Sequence, residues 1–270
     1  RPISTMARHS PFRIAALAAL SGIVAGGATA AAASQPDHWL HVTVLNVGSA
    51  PALLVAGGGV TTLVDGGASP SGLVAALGRV LPPLQRNIDI VVITGGEQES
   101  VAGLSGLPGH YDVGTVLVPA GLTPGAVLVV NQLAASGANV VSIADTAWST
   151  GGTSWRCFRY HAATTDRDDC AVGFRGTGGT GLVLGTAGTA DQEDLAAAYR
   201  GQLTSELVVA PPGGAIAPSL EVETAMRLLA IPLAAGAAGV PNPSGITGDR
   251  TGVDGDLGYV GSAAGLTPVE

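Results

Sequence analysis

Residues 88–104 read IDIVVITGGEQESVAGL, and this stretch decides how the rest of the chain is interpreted. It opens with an apolar run from Ile88 to Ile93, which is typical of a buried strand. Two glycines and four polar residues follow at positions 95–100, before an apolar sequence resumes at Val101. A polar loop at the end of a buried strand is where α/β proteins place functional side chains. We therefore expect residues 95–100 to form the functional loop.

The composition indicates a folded chain with few candidate nucleic-acid contacts. Of 270 residues, 46% are hydrophobic and 12% charged, which excludes a disordered polypeptide and allows one or two domains. The net charge is −8, and all twelve basic residues are arginines, so charge does not support DNA as a partner. A local arginine cluster is best represented by residues 155–160 (WRCFRY). The simpler interpretation of that stretch is a strand with alternate residues in solvent.

The N-terminal region predicts a membrane anchor. Residues 1–13 contain three arginines and no acid, and residues 14–33 carry no charge over a length that can cross a hydrocarbon core of about 30 Å. Basic residues before this segment and Asp37 after it predict a cytoplasmic N-terminus. The alternative is a secretory signal that starts at Met6 and is cleaved after residues 28–30 (Ala-Thr-Ala). Both interpretations put the following domain at the cell membrane or beyond it, in an extracytoplasmic location.

The remaining pattern alternates strands with helices, which implies a layered α/β domain with sheets inside and helices outside. The sequence predicts strands at 40–46, 52–55, 60–64, 88–93, 113–118, 139–143, 153–160, 170–174, 181–184 and 207–210, and helices at 71–81, 125–136, 190–199 and 218–229. From Pro232 the sequence is rich in Ala, Gly and Pro, so we expect weak order there. The predicted organisation is a cytoplasmic stub (1–13), a transmembrane helix or signal peptide (14–33), a linker (34–39), one domain (40–235) and a flexible C-terminal tail (236–270).

The central stretch resembles the ligand loop of the metallo-β-lactamase family, in which a buried strand ends in Thr-His-x-His-x-Asp-His and a glycine-rich helix start follows. The four ligand positions of that motif are occupied here by Gly95, Glu97, Glu99 and Ser100. Zinc is bound by imidazole nitrogens at about 2.0 Å, and glycine has no side chain with which to bind it. The resemblance implies an αββα sandwich, while the changed residues imply a non-catalytic relative with no metal or other cofactor.

Further blocks of the same family follow in order along the chain. The block at 63–67 (LVDGG) keeps its aspartate, Asp65, whereas Pro211 and Pro212 stand where the family has two histidines. The segment 167–170 (RDDC) corresponds to a polar block before a strand, and Gly185-Thr186 falls near a metal-bridging aspartate of the family, with no Asp present.

The opening block, residues 40–48 (LHVTVLNVG), directly after a membrane span is similar to one branch of that family, the ComEC-type DNA-internalisation competence proteins. In that branch a polytopic channel carries this domain outside the membrane. The resemblance implies a role in DNA uptake, a membrane contact through residues 14–33, and an upstream channel segment of the same protein as partner. With the ligands changed, we expect the domain to contribute structure or partner contacts.

Two other functions are compatible with the sequence. The first is a divergent metal-dependent hydrolase or nuclease in which Asp65, Glu97 and Glu99 hold a divalent cation such as Mg²⁺ or Mn²⁺. The second is a solitary exported binding domain without a channel. Histidine ligands are not expected, because none of the five histidines forms an H-x-H or i, i+4 pair: His9, His38, His41, His110 and His161.

Cys157 and Cys170 are candidates for a disulfide bond. They lie on successive predicted strands that flank a 12-residue connection. In an oxidising compartment two cysteines so placed can pair, which contributes about 2 to 4 kcal/mol of stability. The sequence does not give the register of the two strands, so two free thiols remain the alternative.

Overall fold

A computed structural model of the protein describes residues 38–234 and 246–269. The predicted stub at 1–13, the predicted span at 14–33 and the linker up to residue 37 lie outside the described residues. Within the described ranges, no helix is long and apolar enough to cross a membrane.

The described chain contains two sheets with helices on their outer faces. Its first half comprises β1 (His41–Val44), β2 (Leu53–Gly57), β3 (Val60–Val64), α1 (Pro70–Val80), β4 (Asn87–Val92), α2 (Gln98–Val101), a 3₁₀ turn (Ala102–Gly106), β5 (Asp112–Val118), α3 (Pro124–Ala135), β6 (Asn139–Ser142) and β7 (Ala147–Thr150). Its second half comprises β8 (Thr153–Ala162), β9 (Arg167–Gly176), β10 (Gly179–Val183), α4 (Thr189–Ala198), β11 (Leu207–Val209), α5 (Pro218–Thr224), β12 (Leu228–Ile231), β13 (Thr247–Arg250), α6 (Thr251–Asp254), β14 (Leu257–Val260) and β15 (Thr267–Val269).

The sheet topology sets which strand ends meet. The first sheet has the order β15-β14-β1-β2-β3-β4-β5-β6, and the second has the order β13-β12-β11-β10-β9-β8-β7. Strands β1 to β3 form the predicted antiparallel meander, whereas β3 to β6 run parallel. The carboxyl ends of β3 and β4 therefore lie side by side at one edge of the first sheet.

Three layers of apolar side chains hold the two sheets and their helices together. One core lies between the sheets and includes Val42 and Trp155. A second joins the outer face of the first sheet to α1 and α3, and a third joins the outer face of the second sheet to α4 and α5. The predicted αββα sandwich is confirmed.

Local sequence explains where the helices that cover the first sheet begin. Helix α1 is preceded by Ser69, whose hydroxyl accepts a hydrogen bond from the amide of Gly72, and it has a proline in its first turn. Helix α3 begins in the same way, with the Thr123 hydroxyl accepting from the amide of Ala126. Such caps satisfy amide groups that have no partner inside the helix. Both helices begin one residue before the predicted starts, at Pro70 and Pro124 instead of residues 71 and 125.

The predicted helix at 218–229 is wrong in its second half. Helix α5 ends at Thr224, because Ala225 adopts a left-handed conformation with φ 50°. Residues Leu228–Ile231 form the fully buried strand β12, which runs parallel to β11. A short apolar run fits a buried strand as well as a helix, and periodicity alone does not separate the two.

The prediction of a flexible tail at 236–270 is wrong for the described residues 246–269. Strand β14 pairs antiparallel with β1 and completes the first sheet on that side. Tyr259 of β14 is 1% exposed and packs in the core between the sheets. The domain therefore extends well past residue 235. Strand β14 is only four residues long and lies in a segment rich in Ala, Gly and Pro, so the sequence pattern did not predict it.

The structure pairs the two cysteines in a disulfide bond. Cys157 of β8 and Cys170 of β9 have Cα atoms 5.5 Å apart. Cys157 pairs with Val172 and Arg159 pairs with Cys170, so the two cysteines are diagonal neighbours on one sheet face. Both side chains lie in the core between the sheets.

Replacement of Tyr259 should show whether the C-terminal strands belong to the folding unit. Tyr259→Ala removes a buried ring, so we expect the free energy of unfolding in urea to fall by about 3 to 5 kcal/mol. Tyr259→Phe is the matched control, since it keeps the ring and loses only the hydrogen bond that the hydroxyl donates to Asp249 at 3.1 Å. An alanine variant as stable as the wild type would contradict this account of β14.

Removal of the disulfide should destabilise the domain. The bond closes a loop with a sequence separation of 13. We expect the Cys157→Ala, Cys170→Ala double variant to lose about 2 to 4 kcal/mol in urea unfolding. Reductant should lower the stability of the wild type and leave the double variant unchanged. Two reactive thiols in the oxidised, denatured wild type would contradict the pairing.

Candidate functional site

Asp65 and Thr94 meet at the edge where β3 and β4 end. Asp65 is fully buried, with a left-handed backbone at φ 57°, a conformation that Asp adopts more readily than most residues. Its Oδ1 accepts from the Thr94 amide at 2.9 Å, and its Oδ2 accepts from the Thr94 hydroxyl at 2.6 Å. Both carboxylate oxygens are therefore engaged by one residue.

Thr94 also connects the two sheets. Its carbonyl oxygen accepts from the amide of Cys170 at 2.7 Å, at the start of β9 in the second sheet. Gly185, which follows β10 with φ +60°, lies against the Thr94 side chain so closely that an added Cβ would overlap it. Only glycine fits at position 185, both for its backbone conformation and for this contact.

The carboxylate of Asp169, on β9, lies against Gly95, the first of the changed ligand positions. A Cβ built on Gly95 would be 2.9 Å from Asp169 Oδ2. Asp169 also accepts a hydrogen bond from the amide of Gly96. Any larger residue at position 95 would therefore require Asp169 to move. No local sequence pattern indicates this contact, because the two residues are 74 positions apart, Gly95 in the loop after β4 of the first sheet and Asp169 on β9 of the second.

Burial makes two carboxyl groups at this edge weak acids. Burial raises the pKa of Asp65 to about 7, against the effect of its hydrogen bonds from Thr94, and the nearby Asp169 raises it further. Burial likewise raises the pKa of Asp169 to about 6, with a contribution from Glu97 and an opposing one from the Gly96 amide. Asp169 is 2% exposed, and its Oδ1 has no hydrogen-bond partner.

Two residues that the sequence analysis did not single out complete this cluster. The Tyr160 hydroxyl shares a hydrogen bond with Thr186, and burial, together with the charges of Asp169 and Asp191, raises its pKa. Asp191 is buried in the first turn of α4 and accepts from the amides of Gly188 at 2.9 Å and Ala163 at 3.0 Å. It thereby joins the start of α4 to the β8–β9 hairpin. The alternation along β8 gave no signal for Tyr160, since residues 155–160 have an arginine on each of the two alternating faces.

The predicted loop residues are not brought together. Glu97 is half-buried, Glu99 is exposed on α2, and Ser100 is buried with its hydroxyl unpartnered. The Ser100 carbonyl accepts from the Gly66 amide at 2.8 Å, which holds the loop on the turn after β3. Pro211 is buried and Pro212 half-buried after β11, where neither offers a ligand atom.

The donor set does not fit the metal centre that the family resemblance implies. Among residues 38–234 and 246–269, no group of three or more His, Cys, Asp or Glu side chains is arranged to hold a metal ion. The proposed set of Asp65, Glu97 and Glu99 is thus not assembled, and the structure places Asp169 near Asp65 instead. Metal ligands must be deprotonated, whereas these two buried carboxyl groups have raised pKa values.

Comparisons with known proteins support the fold, but they do not identify a closer relative. No protein-family model and no curated protein matches the chain. The metallo-β-lactamase-fold protein YhfI from Bacillus subtilis superposes with a TM-score of 0.51 at 12% identity, over 73% of this chain and 85% of that one. A variant of the CmlA β-hydroxylase superposes with a TM-score of 0.50 at 15% identity, over 85% of this chain and 53% of that one.

A third solved structure is Zn²⁺-bound PqqB from Methylobacterium extorquens, with a TM-score of 0.46 at 18% identity, over 63% of this chain and 72% of that one. The two-sheet sandwich of this chain is a metallo-β-lactamase fold. At these identities the likeness establishes the fold alone.

The raised pKa values predict an unusual dependence of stability on pH. The folded protein holds protons on Asp65 and Asp169 that the unfolded chain, with ordinary pKa values near 3.8, has lost. Their contribution to stability is complete below about pH 3.8 and disappears as pH rises through 6 to 7. We therefore expect the free energy of unfolding to be roughly 4 kcal/mol higher at pH 5 than at pH 8, with about two thirds of the difference from Asp65 and the rest from Asp169.

Asp65→Asn should flatten this pH dependence. The amide stays neutral, its oxygen can accept from the Thr94 amide, and its nitrogen can donate to the Thr94 hydroxyl oxygen. Asp112→Asn, at an exposed position on β5, is the matched control and should keep the wild-type slope. Urea unfolding at several pH values measures all three proteins, and a wild type that is more stable at pH 8 would contradict the assignment.

Proposed function

We propose that this chain is a non-catalytic metallo-β-lactamase-fold domain that contributes structure and partner contacts instead of hydrolysis. The observation that carries the proposal is the packing of the Asp169 carboxylate against Gly95. A position that corresponds to a metal ligand in the resembled family is thus closed by a neighbouring side chain.

The chemistry of the surrounding groups supports the same conclusion. Hydrolysis in metal-dependent enzymes depends on an ion that activates water, and that ion needs several free donor atoms. Asp65 already directs both oxygens at Thr94. Ser100 has no histidine in hydrogen-bond contact that would activate its buried hydroxyl, which is unpartnered.

Metal content provides the direct test. The full 270-residue chain is incubated with Zn²⁺, Mn²⁺ and Mg²⁺, freed of excess metal, and measured by elemental mass spectrometry. We expect less than about 0.1 ion per chain, because residues 38–234 and 246–269 do not assemble a set of metal ligands. A stoichiometry near one or two would contradict the proposal.

A divergent metal-dependent hydrolase is the second candidate, and one observation favours it. Asp169 Oδ1 is buried without a hydrogen-bond partner. The Asp169 carboxylate is also close enough to Asp65 for its charge to raise the pKa of Asp65. If the domain is such a hydrolase, the Asp65→Asn and Asp169→Asn variants should lose bound metal, and the Asp112→Asn variant should keep it. Metal-stimulated cleavage of a DNA strand would then identify the hydrolase.

We further propose that the domain is extracytoplasmic and belongs to a membrane protein of the DNA-uptake type, anchored through residues 14–33. The disulfide between Cys157 and Cys170 supports an oxidising compartment. The block at residues 40–48 supports the competence branch. Because the net charge is −8, contacts with channel segments of the same protein are better supported than contacts with DNA.

Two observations test this cellular role. External protease should degrade the domain in intact spheroplasts while a cytoplasmic marker survives. Loss of the domain should lower the frequency of natural transformation if it supports a channel. A coding sequence without further hydrophobic spans upstream of Arg1 would favour the solitary exported binding domain instead.

A further inference from the structure

A cavity of about 250 Å³ lies on the second sheet, and it shares no residue with the cluster around Asp65 and Asp169. It is lined by strands β8, β9 and β10 and by the connection between α4 and β11. Its polar lining groups are two arginines, four hydroxyl residues and one amide: Arg156, Arg175, Ser154, Thr180, Thr204, Ser205 and Gln202. No Asp or Glu is among its described lining residues, although the chain carries a net charge of −8.

The strand register puts both arginines on the same face of the sheet. Arg175 of β9 is directly opposite Ser154 of β8 on one side and Thr180 of β10 on the other. Arg156 is opposite Gly173, two residues before Arg175, so the two arginines are diagonal neighbours.

The Phe158 ring packs over the glycine opposite Arg156. A Cβ on Gly173 would lie 2.7 Å from that ring, so only glycine leaves room for it against β9. The ring forms part of the cavity wall beside Arg156. The cavity volume of about 250 Å³ is just below the range of about 300 to 1,000 Å³ for pockets that hold drug-sized ligands, so it suits a smaller group.

Contacts within the domain hold Arg156 in place. Its guanidinium carbon is 5.1 Å from the centroid of the Phe158 ring and 5.7 Å from that of Tyr199. One terminal nitrogen donates to Gln202 Oε1 at 2.7 Å, and the other is 3.4 Å from Asp145 Oδ1. The ion pair with Asp145 is solvent-exposed on both sides and therefore weak. A guanidinium has five N–H donors, so donors remain for a ligand.

Arg175 lacks a counter-charge. In the part of the chain that the structure describes, it takes part in no ion pair and no side-chain hydrogen bond, and its side chain is exposed. Two cationic groups that line one cavity repel each other unless an anion lies between them. The Ser205 hydroxyl donates to the Leu203 carbonyl at 2.9 Å, whereas the Thr180 hydroxyl accepts from the Glu206 amide and keeps its own proton as a neutral donor.

We propose that this cavity binds the oxyanion group of a small ligand, a carboxylate or a phosphate, between Arg156 and Arg175. Guanidinium groups match the planar, two-oxygen geometry of such groups. A nucleic acid is disfavoured, because the cavity accommodates a single small group and the overall charge repels a polyanion. The site is independent of whether the Asp65 region binds metal.

An NMR titration of the full chain tests the proposal with two probes, inorganic phosphate and succinate, at constant ionic strength. We expect saturable amide shifts confined to residues around 154–156, 173–175 and 202–205. Saturation with phosphate alone assigns a phosphate site, and saturation with succinate alone assigns a carboxylate site. No saturable shift with either probe would overturn the proposal.

Matched variants locate the binding. Arg175→Gln and Arg156→Gln should each raise the dissociation constant about tenfold, the effect of removing one hydrogen-bonded charge. Arg159→Gln is the control, since Arg159 lies on the same strand, does not line the cavity, and pairs with Asp168 at 3.5 Å. The Arg159→Gln variant should bind both probes with the dissociation constant of the wild type. Equal affinities in the wild type and the Arg156→Gln, Arg175→Gln double variant would also overturn the proposal.

Discussion

The pair of hydrogen bonds from Thr94 to Asp65 is the constraint on which the rest of this edge depends. It joins the ends of two parallel strands and stabilises the left-handed turn at Asp65. The loop is then held on this turn by two backbone hydrogen bonds, from Gly66 to the Ser100 carbonyl and from Gly103 to the Gly67 carbonyl. Because Thr94 also accepts from Cys170, the same residue sets the position of the second sheet relative to the first.

Much of this arrangement was predictable where sequence signals are local. The apolar run after residue 87, the apolar periodicity of residues 71–81 and the alternation along β8 each predicted an element within a few residues of its observed bounds. Local patterns carry no information on contacts between distant segments, and this is why Asp169 against Gly95 was missed. The strand at Leu257–Val260 was missed for a related reason, since a four-residue strand becomes recognisable only when β1 is beside it.

The two buried carboxyl groups, Asp65 and Asp169, are stabilised chiefly by protonation. A charged carboxylate in an apolar environment is unfavourable unless a cation or several hydrogen bonds compensate it. Asp65 has two hydrogen bonds and no described cation partner, and Asp169 has one unpartnered oxygen, so protonation becomes the remaining compensation. The protonation of these two carboxyl groups therefore makes the stability of this edge depend on pH.

The two polar sites of the domain lie at opposite ends of one face of the β8–β9 ribbon. Register pairs Asp169 with Tyr160 at one end and Arg175 with Ser154 at the other, and the alternation keeps all four side chains on the same side. Six residues separate the aspartate from the arginine along β9, a distance of about 20 Å at the rise of an antiparallel strand. Asp169 is buried at one end of this distance, whereas Arg175 is exposed to solvent at the other. The arginine cavity therefore presents its charge to solvent at one end of the ribbon, while the carboxyl groups at the other end are buried beside the loop at 95–100.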